Sequence, residues 1–498
     1  MDIDRRSFLG SGLVALGGTR VAPALAPATA AVGQQAGATR ASSGKSLSRQ
    51  FAQWVAGLRY EDLPAPVVDR VKGLTLQNLA SALVGSQLPA GQQAVSFVTG
   101  EEAGVPRGAT ILVNGSKVTK GGAVFASSEM MLAGGKWDTF RMLTHPGTAI
   151  IPAALCAAET EGASGRDFIT GVAAGYEVME RMAADWIPTV MARGFHAGPV
   201  FSIFGAAVAA AKIMRFSEDQ VHATISLCTN LAGSNLESRA LREGAAVRNA
   251  MLAAALAKQG KVGGGEAVLE GPAGFYKAYA GDNSGRLTYS FAGATATTLD
   301  QITANLGREW TLLETLYRIY SVAGYNIAHI DVTAKLCQEH DIKYADVDRV
   351  EAVVNWMETQ YPSPAFPQRR EDIGEAARGS TRYYSAYGVV TRGFPMLAVT
   401  KDPPEVLDLM KRVRIIPSHD MPLFAPRITI FTKDGRSYTK QATGREFIWD
   451  FDEEARRIRG VVPGIPIPEG QFDRMIATCR NLEREERADA LVRLTLKA

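Results

Sequence analysis

Apolar residues recur at helical spacing from Phe51 to Ala280, on a background rich in Ala and Gly. Pro64-Ala65-Pro66 opens a segment in which Val67, Val71, Leu74, Leu79 and Leu83 fall on one face, and Gly85 closes it. Ser164-Gly165-Arg166-Asp167 predicts the N-terminal cap of a helix running through Tyr176 and Met179. Ser217-Glu218-Asp219-Gln220 predicts a capping box for the next. Phe204 to Ile213 (FGAAVAAAKI) and Met251 to Ala257 (MLAAALA) are apolar on nearly every side and built from small residues, which predicts buried, closely packed central helices. After about Leu306 the period changes. Val350 to Met357 and Arg427 to Thr432 predict strands, and Asp434-Gly435 a turn after the second. Tyr384 to Val390 predicts a short helix, and Asp402-Pro403-Pro404 a break. Gln471 to Leu496 is charged and amphipathic, suited to lying back on the helical part. The expected fold is mainly α: a large all-helical domain, discontinuous over residues 47–309 and 456–498, plus a smaller α+β lid domain over residues 310–455.

The N-terminus stands apart from this pattern. Asp4-Arg5-Arg6-Ser7-Phe8-Leu9, a mildly apolar stretch, and Ala28-Thr29-Ala30 have the layout of a twin-arginine export signal over residues 1–30, with residues 31–46 as a linker. The expected location is therefore periplasmic or secreted; a basic tail on a cytoplasmic protein is the alternative. No later segment offers about 20 uninterrupted apolar residues, so no membrane span is expected. With 498 residues, 46% of them hydrophobic, the chain can bury a large core. Its formal charge of +3 is small and its Lys and Arg residues are scattered, which gives no footprint for nucleic acid. Cys156, Cys228, Cys337 and Cys479 are far apart, without the spacing of a zinc or iron-sulfur site. Cys156 and Cys228 are expected to be buried, inert thiols.

Candidate chemistry lies in GGKWDTFRMLTHPG, Gly134 to Gly147, where Asp138, Thr139 and His145 fall close together. Taken by themselves, His145-Pro146-Gly147 could simply turn into a helix; imidazole is also suited to proton transfer near neutral pH. His196, between Arg193-Gly194 and Ala197-Gly198-Pro199, reads as a loop entering a helix, where backbone amides favour an anion.

The order and spacing of His145-Pro146-Gly147, SGRDFITGVAAGYEVMER, RGFH ending at His196, FGAAVAAAKI, VRNAMLAAALAKQG, LEGPAGFY, LGREW and HIDV ending near Asp331 resemble the MmgE/PrpD family. That family includes 2-methylcitrate dehydratases, cis-aconitate decarboxylases and an iminodisuccinate epimerase. The resemblance implies a homodimer whose site lies in the cleft between helical and lid domains. It also implies cofactor-independent and metal-free lyase or epimerase chemistry on a small di- or tricarboxylic acid, by proton transfer next to a carboxylate. Such chemistry needs a base, an acid, and cations for the substrate's charges. By resemblance His145, His196, Thr139 and Asp138 are the catalytic candidates, and Arg239, Arg242 and Arg318 the substrate-binding ones; Lys136, in the same stretch as Asp138, and Tyr387, at a lid position that could reach the cleft, are added to the substrate-binding candidates. Departures from the family pattern are equally specific. Its leading Asp is Gly135 here, its third motif position is Trp137, a Lys and a His become Arg239 and Arg242, another Lys becomes Arg318, and a His becomes Ile327. Arginine grips carboxylates but is a poor proton shuttle. Tyr325, Asp331 and Ser385 are further lid positions that could reach the cleft, with Asp331 better suited to anchoring its helix. His329 either replaces the missing histidine or faces the core. A non-catalytic carboxylate-binding protein on the same fold is the alternative function.

Overall fold

The computed structural model describes residues 44–236, 238, 241–261, 263–320, 322–359, 380–395 and 401–497. The expected signal segment, most of the expected linker, and Arg239 lie outside the described residues. Lys45–Ala498 is one compact unit.

The helical layer follows the apolar pattern closely. The segment opened by Pro64 and closed by Gly85 is a helix over Ala65–Gly85. Ser164 and Ser217 each close a reciprocal capping box, with Asp167 and Gln220, at the starts of Gly165–Ala183 and Glu218–Leu231. Ala197–Ile213 is the central helix, and all its residues but Lys212 are buried. It crosses Gly165–Ala183 at Gly175 and Gly205, where the two backbones touch. A Cβ on Gly175 would lie 2.5 Å from the Gly205 carbonyl oxygen, and one on Gly205 2.9 Å from that of Gly175. Because a backbone carbonyl cannot rotate aside, Gly175→Ala should destabilise the protein by about 1–3 kcal/mol, read as a lower urea midpoint at unchanged m-value. A variant as stable as the parent would show that the helices can separate freely.

The predicted strands are present as Val347–Asn355 and Arg427–Thr432, joined by Val413–Ser418 and Ser437–Gln441. In the four-stranded sheet Val413–Ser418 lies outermost and parallel to Val347–Asn355. Arg427–Thr432 and Ser437–Gln441 follow on the other side, each antiparallel to its neighbour. Helices Gly324–Glu339 and Thr381–Thr391 pack on each other and on this sheet. The protein is thus mainly α with a small mixed sheet. At the C-terminus, Phe451–Ile458 and Glu469–Arg480 return to pack on Ala65–Gly85. All four cysteines are free and buried. Among the described residues no helix is long and apolar enough to cross a membrane.

Two three-residue strands, Trp137–Thr139 and Leu316–Arg318, pair antiparallel and join the helical layer to the segment that leads into Gly324–Glu339. This short ribbon positions the site.

Candidate active site

Side chains alternate across a strand, so Trp137 and Thr139 emerge on one face of the ribbon and Asp138 on the other. Trp137 and Thr139 line a cavity of about 240 Å³. Arg318 stands directly opposite Trp137 in the ribbon and lays its guanidinium over the indole, 4.4 Å from the ring centroid. The Nε of Arg318 donates to the Val322 carbonyl at 2.6 Å, which fixes the fork. The Thr139 hydroxyl is buried and has no hydrogen-bond partner, although it faces the cavity.

Four of the described helices begin at this cavity. Gly147–Glu161 starts just after His145, Ala197–Ile213 is capped by His196, Arg242–Lys258 starts at Arg242, and Gly324–Glu339 starts beside Ala323. His145, His196, Arg242, Ala323 and Gly324 all line the wall. Each helix N-terminus carries roughly half a positive charge on its unpaired N–H groups, so the backbone alone makes the cavity electropositive.

The first of these termini is neutralised from behind by Asp138. Its carboxylate, fully buried, accepts from the Gly147 N–H at 2.9 Å and from the Tyr176 hydroxyl at 2.6 Å. Burial pushes its pKa up to about 6, and these hydrogen bonds hold it from rising further. The structure therefore does not bring the Asp138 carboxylate, expected as a catalytic group, to the cavity wall. Its backbone carbonyl does the orienting instead, accepting from His145 Nδ1 at 2.9 Å. With the proton fixed on Nδ1, His145 Nε2 holds a lone pair and has no hydrogen-bond partner among the described residues. The imidazole packs on Trp137 at 4.5 Å between centroids. Burial, then the Arg318 and Arg242 guanidiniums, hold its pKa well below the usual histidine value, so the ring is neutral at neutral pH.

His196 has the opposite tautomer. Its Nδ1 accepts from the Gly198 N–H at 3.2 Å as the N-cap of the central helix, leaving the proton on Nε2. That Nε2 lies 3.2 Å from Nη1 of Arg242. A protonated Nε2 cannot accept from a guanidinium, so two donors stand side by side, an arrangement that suits an anionic oxygen placed within reach of both. Arg242 is also 3.6 Å from the buried carboxylate of Glu243 and 5.9 Å from the Trp137 ring.

Of the expected site residues, the structure thus gathers Thr139, His145, His196, Arg242 and Arg318 around one cavity, with Tyr325 beside them. Lys136 is buried behind the wall. Burial and, secondarily, Arg318 lower its ammonium to about 8. Tyr387 does not line the cavity; it lies on Thr381–Thr391, with its ring against Tyr383 and Tyr384. Asp331 pairs with Lys335 at 2.7 Å on its own helix. His329 faces the core, fully buried, with Nδ1 2.9 Å from the Ser385 hydroxyl. Sequence reasoning missed Trp137 as a platform for the cations, the acid Glu243 behind Arg242, and an apolar wall formed by Met142, Leu143, Leu236 and Phe424. Among the described residues no group of three or more His, Cys, Asp or Glu side chains could hold a metal ion.

Residues 49–288, which supply His145, His196 and Arg242, match the MmgE/PrpD N-terminal domain. A cis-aconitate decarboxylase-like protein, oryM, of Aspergillus oryzae (strain ATCC 42149 / RIB 40) is 24% identical over 316 residues, or 60% of this chain, and the match spans 63% of that protein, just under two thirds. A cis-aconitate decarboxylase of Aspergillus terreus (strain NIH 2624 / FGSC A1156) is 24% identical over 442 residues, 82% of this chain and 86% of that protein. The chain thus carries an MmgE/PrpD N-terminal domain over residues 49–288, a little under half of its length.

Proposed function

We propose that the protein is a lyase or epimerase that moves a proton next to a carboxylate of a small di- or tricarboxylic acid, using its own side chains. The observation that carries this reading is the neutral His145, whose unpartnered Nε2 lone pair faces a cavity between two guanidiniums. Arg242 and Arg318 hold substrate carboxylates, and the shared oxygen position between His196 and Arg242 receives one carboxylate oxygen. Nε2 of His145 removes the proton from the adjacent carbon. The electron pair left behind is stabilised by the guanidiniums and by the converging helix N-termini. It is then discharged by loss of a β-hydroxyl, which takes the proton now on His145 Nε2 while His196 Nε2–H donates a hydrogen bond to it, or by reprotonation of the same carbon from His145. In decarboxylation the C–CO₂ bond supplies the electron pair, and a proton taken from solvent reaches the carbon through His145 Nε2. The cis-aconitate decarboxylase named above supports a carboxylic acid as substrate.

A second reading, a non-catalytic carboxylate-binding protein, is favoured by one observation: among the described residues no carboxylate lines the cavity, since the one in the motif is turned inward to cap Gly147. One experiment separates the two. The protein, without added metal, is incubated in D₂O with citrate, 2-methylcitrate and cis-aconitate, and the carbon-bound protons are followed by NMR. Exchange or turnover is the expected result; binding without exchange selects the second reading, and neither with any acid defeats both.

The pH profile follows from the lowered pKa of His145. A base must be unprotonated, and this one stays so below the usual histidine range. On the acid side kcat/KM, corrected for substrate ionisation, should stay level as pH falls through 6.5 and decline only well below it. A fall centred on 6.5 would mean that a solvent-like imidazole does the work.

A further inference from the structure

The cavity has a second wall that the proton chemistry does not use. Met142, Leu143, Leu236 and Phe424 line it, and none can hold a carboxylate. Two of these are held in a backbone conformation that bulky residues avoid: φ is 72° at Leu143 and 59° at Phe424. Both are kept there by specific bonds. Leu143 lies in a tight turn closed by the Phe140 N–H to the Thr144 carbonyl at 3.3 Å. The Phe424 N–H donates to the carboxylate of the buried Glu358 at 2.7 Å. Left-handed backbone at a bulky side chain costs stability and persists where its surroundings over-determine it. Here it aims an aliphatic and an aromatic side chain into the same cavity, from the helical layer and from the sheet side.

The charge count points the same way. Among the described residues two guanidiniums line the cavity, and one of them stands 3.6 Å from Glu243. A substrate carboxylate placed against the apolar wall would lose its hydration without compensation, whereas an alkyl or aryl group there would gain from burial. The cavity, about 240 Å³, has room for more than a bare diacid.

We propose that the substrate is a dicarboxylic acid bearing an apolar substituent of several carbons, its carboxylates on Arg242 and Arg318 and its substituent against Leu143 and Phe424. This rests on the reading that Arg242 and Arg318 bind carboxylates, and it selects among the acids that reading allows. The test is isothermal calorimetry of the full chain with succinate, methylsuccinate, butylsuccinate, phenylsuccinate and propane-1,2,3-tricarboxylate. Between methyl- and butylsuccinate the affinity should rise about three- to fourfold per methylene, and the tricarboxylate should bind more weakly than butylsuccinate. Phe424→Gly removes the ring while favouring the loop's own conformation, so the variant should fold and show a reduced butylsuccinate-to-succinate affinity ratio. Leu143→Gly gives the same test from the other layer. A flat series, a tighter tricarboxylate, or an undiminished ratio in both variants overturns the proposal while leaving the carboxylate site standing. Failure of every acid to bind overturns that site as well.

Discussion

In His145→Gln, exchange of the substrate's proton with solvent deuterium is expected to slow by about 10²- to 10⁴-fold, the range that a positioned general base contributes. The substitution is chosen because a glutamine amide can still donate to the Asp138 carbonyl, as Nδ1 of the histidine does at 2.9 Å. It cannot present a basic lone pair. Calorimetric binding of the acid should therefore outlast the loss of exchange, because Arg242 and Arg318 remain. Wild-type exchange in this variant would remove His145 from the role of base and leave no neutral imidazole with a free lone pair to take it, since His196 carries its proton toward the cavity.

The largest expected effect on stability comes from Asp138→Ala, at about 3–5 kcal/mol, because a buried network is broken and two donors lose their acceptor. Those donors are the Gly147 N–H and the Tyr176 hydroxyl. The effect should depend on pH in a definite sense. The folded pKa of about 6 is raised from 3.8, so folding favours the protonated acid. The linked stability is fully present below 3.8 and is lost as pH rises toward 6. The gap between wild type and Asp138→Ala, measured by urea denaturation, should therefore be wider at pH 5 than at pH 7. A gap that widened with pH would show an ordinary solvated or salt-bridged carboxylate. His145 should lose its fixed orientation in the same variant, since its acceptor belongs to the strand that Asp138 ties down.

Much of the helical layer was legible because its signals are local. Pro64 and Gly85 bracket one helix, and Ser164 and Ser217 start two others through side chains a turn away. The histidines and two of the arginines were legible through the family pattern, and the cavity collects them. Asp138 was misread because its place in a motif says nothing about which way it faces. Its position in a strand does: period two puts Trp137 and Thr139 in the cavity and the acid behind it. Tyr387 was placed in the site from its position in the chain alone, and its helix instead packs on Gly324–Glu339. The apolar wall had no readable signal at all. Leu143 and Phe424 are nearly three hundred residues apart, and a positive φ leaves no mark on the identity of a leucine or a phenylalanine. Glu243 was hidden for a similar reason, as its neighbours across the Arg242–Lys258 helix come from elsewhere in the chain.

Four helices that start at one cavity have an evolutionary consequence. Much of the attraction for anions is written into peptide dipoles, of which a side chain, Asp138, offsets one. Protonatable groups around the cavity can therefore change while the frame continues to gather acids. Lineages on this scaffold can pass through catalytically silent intermediates without losing their ligand, and can acquire a new reaction by restoring a single proton carrier.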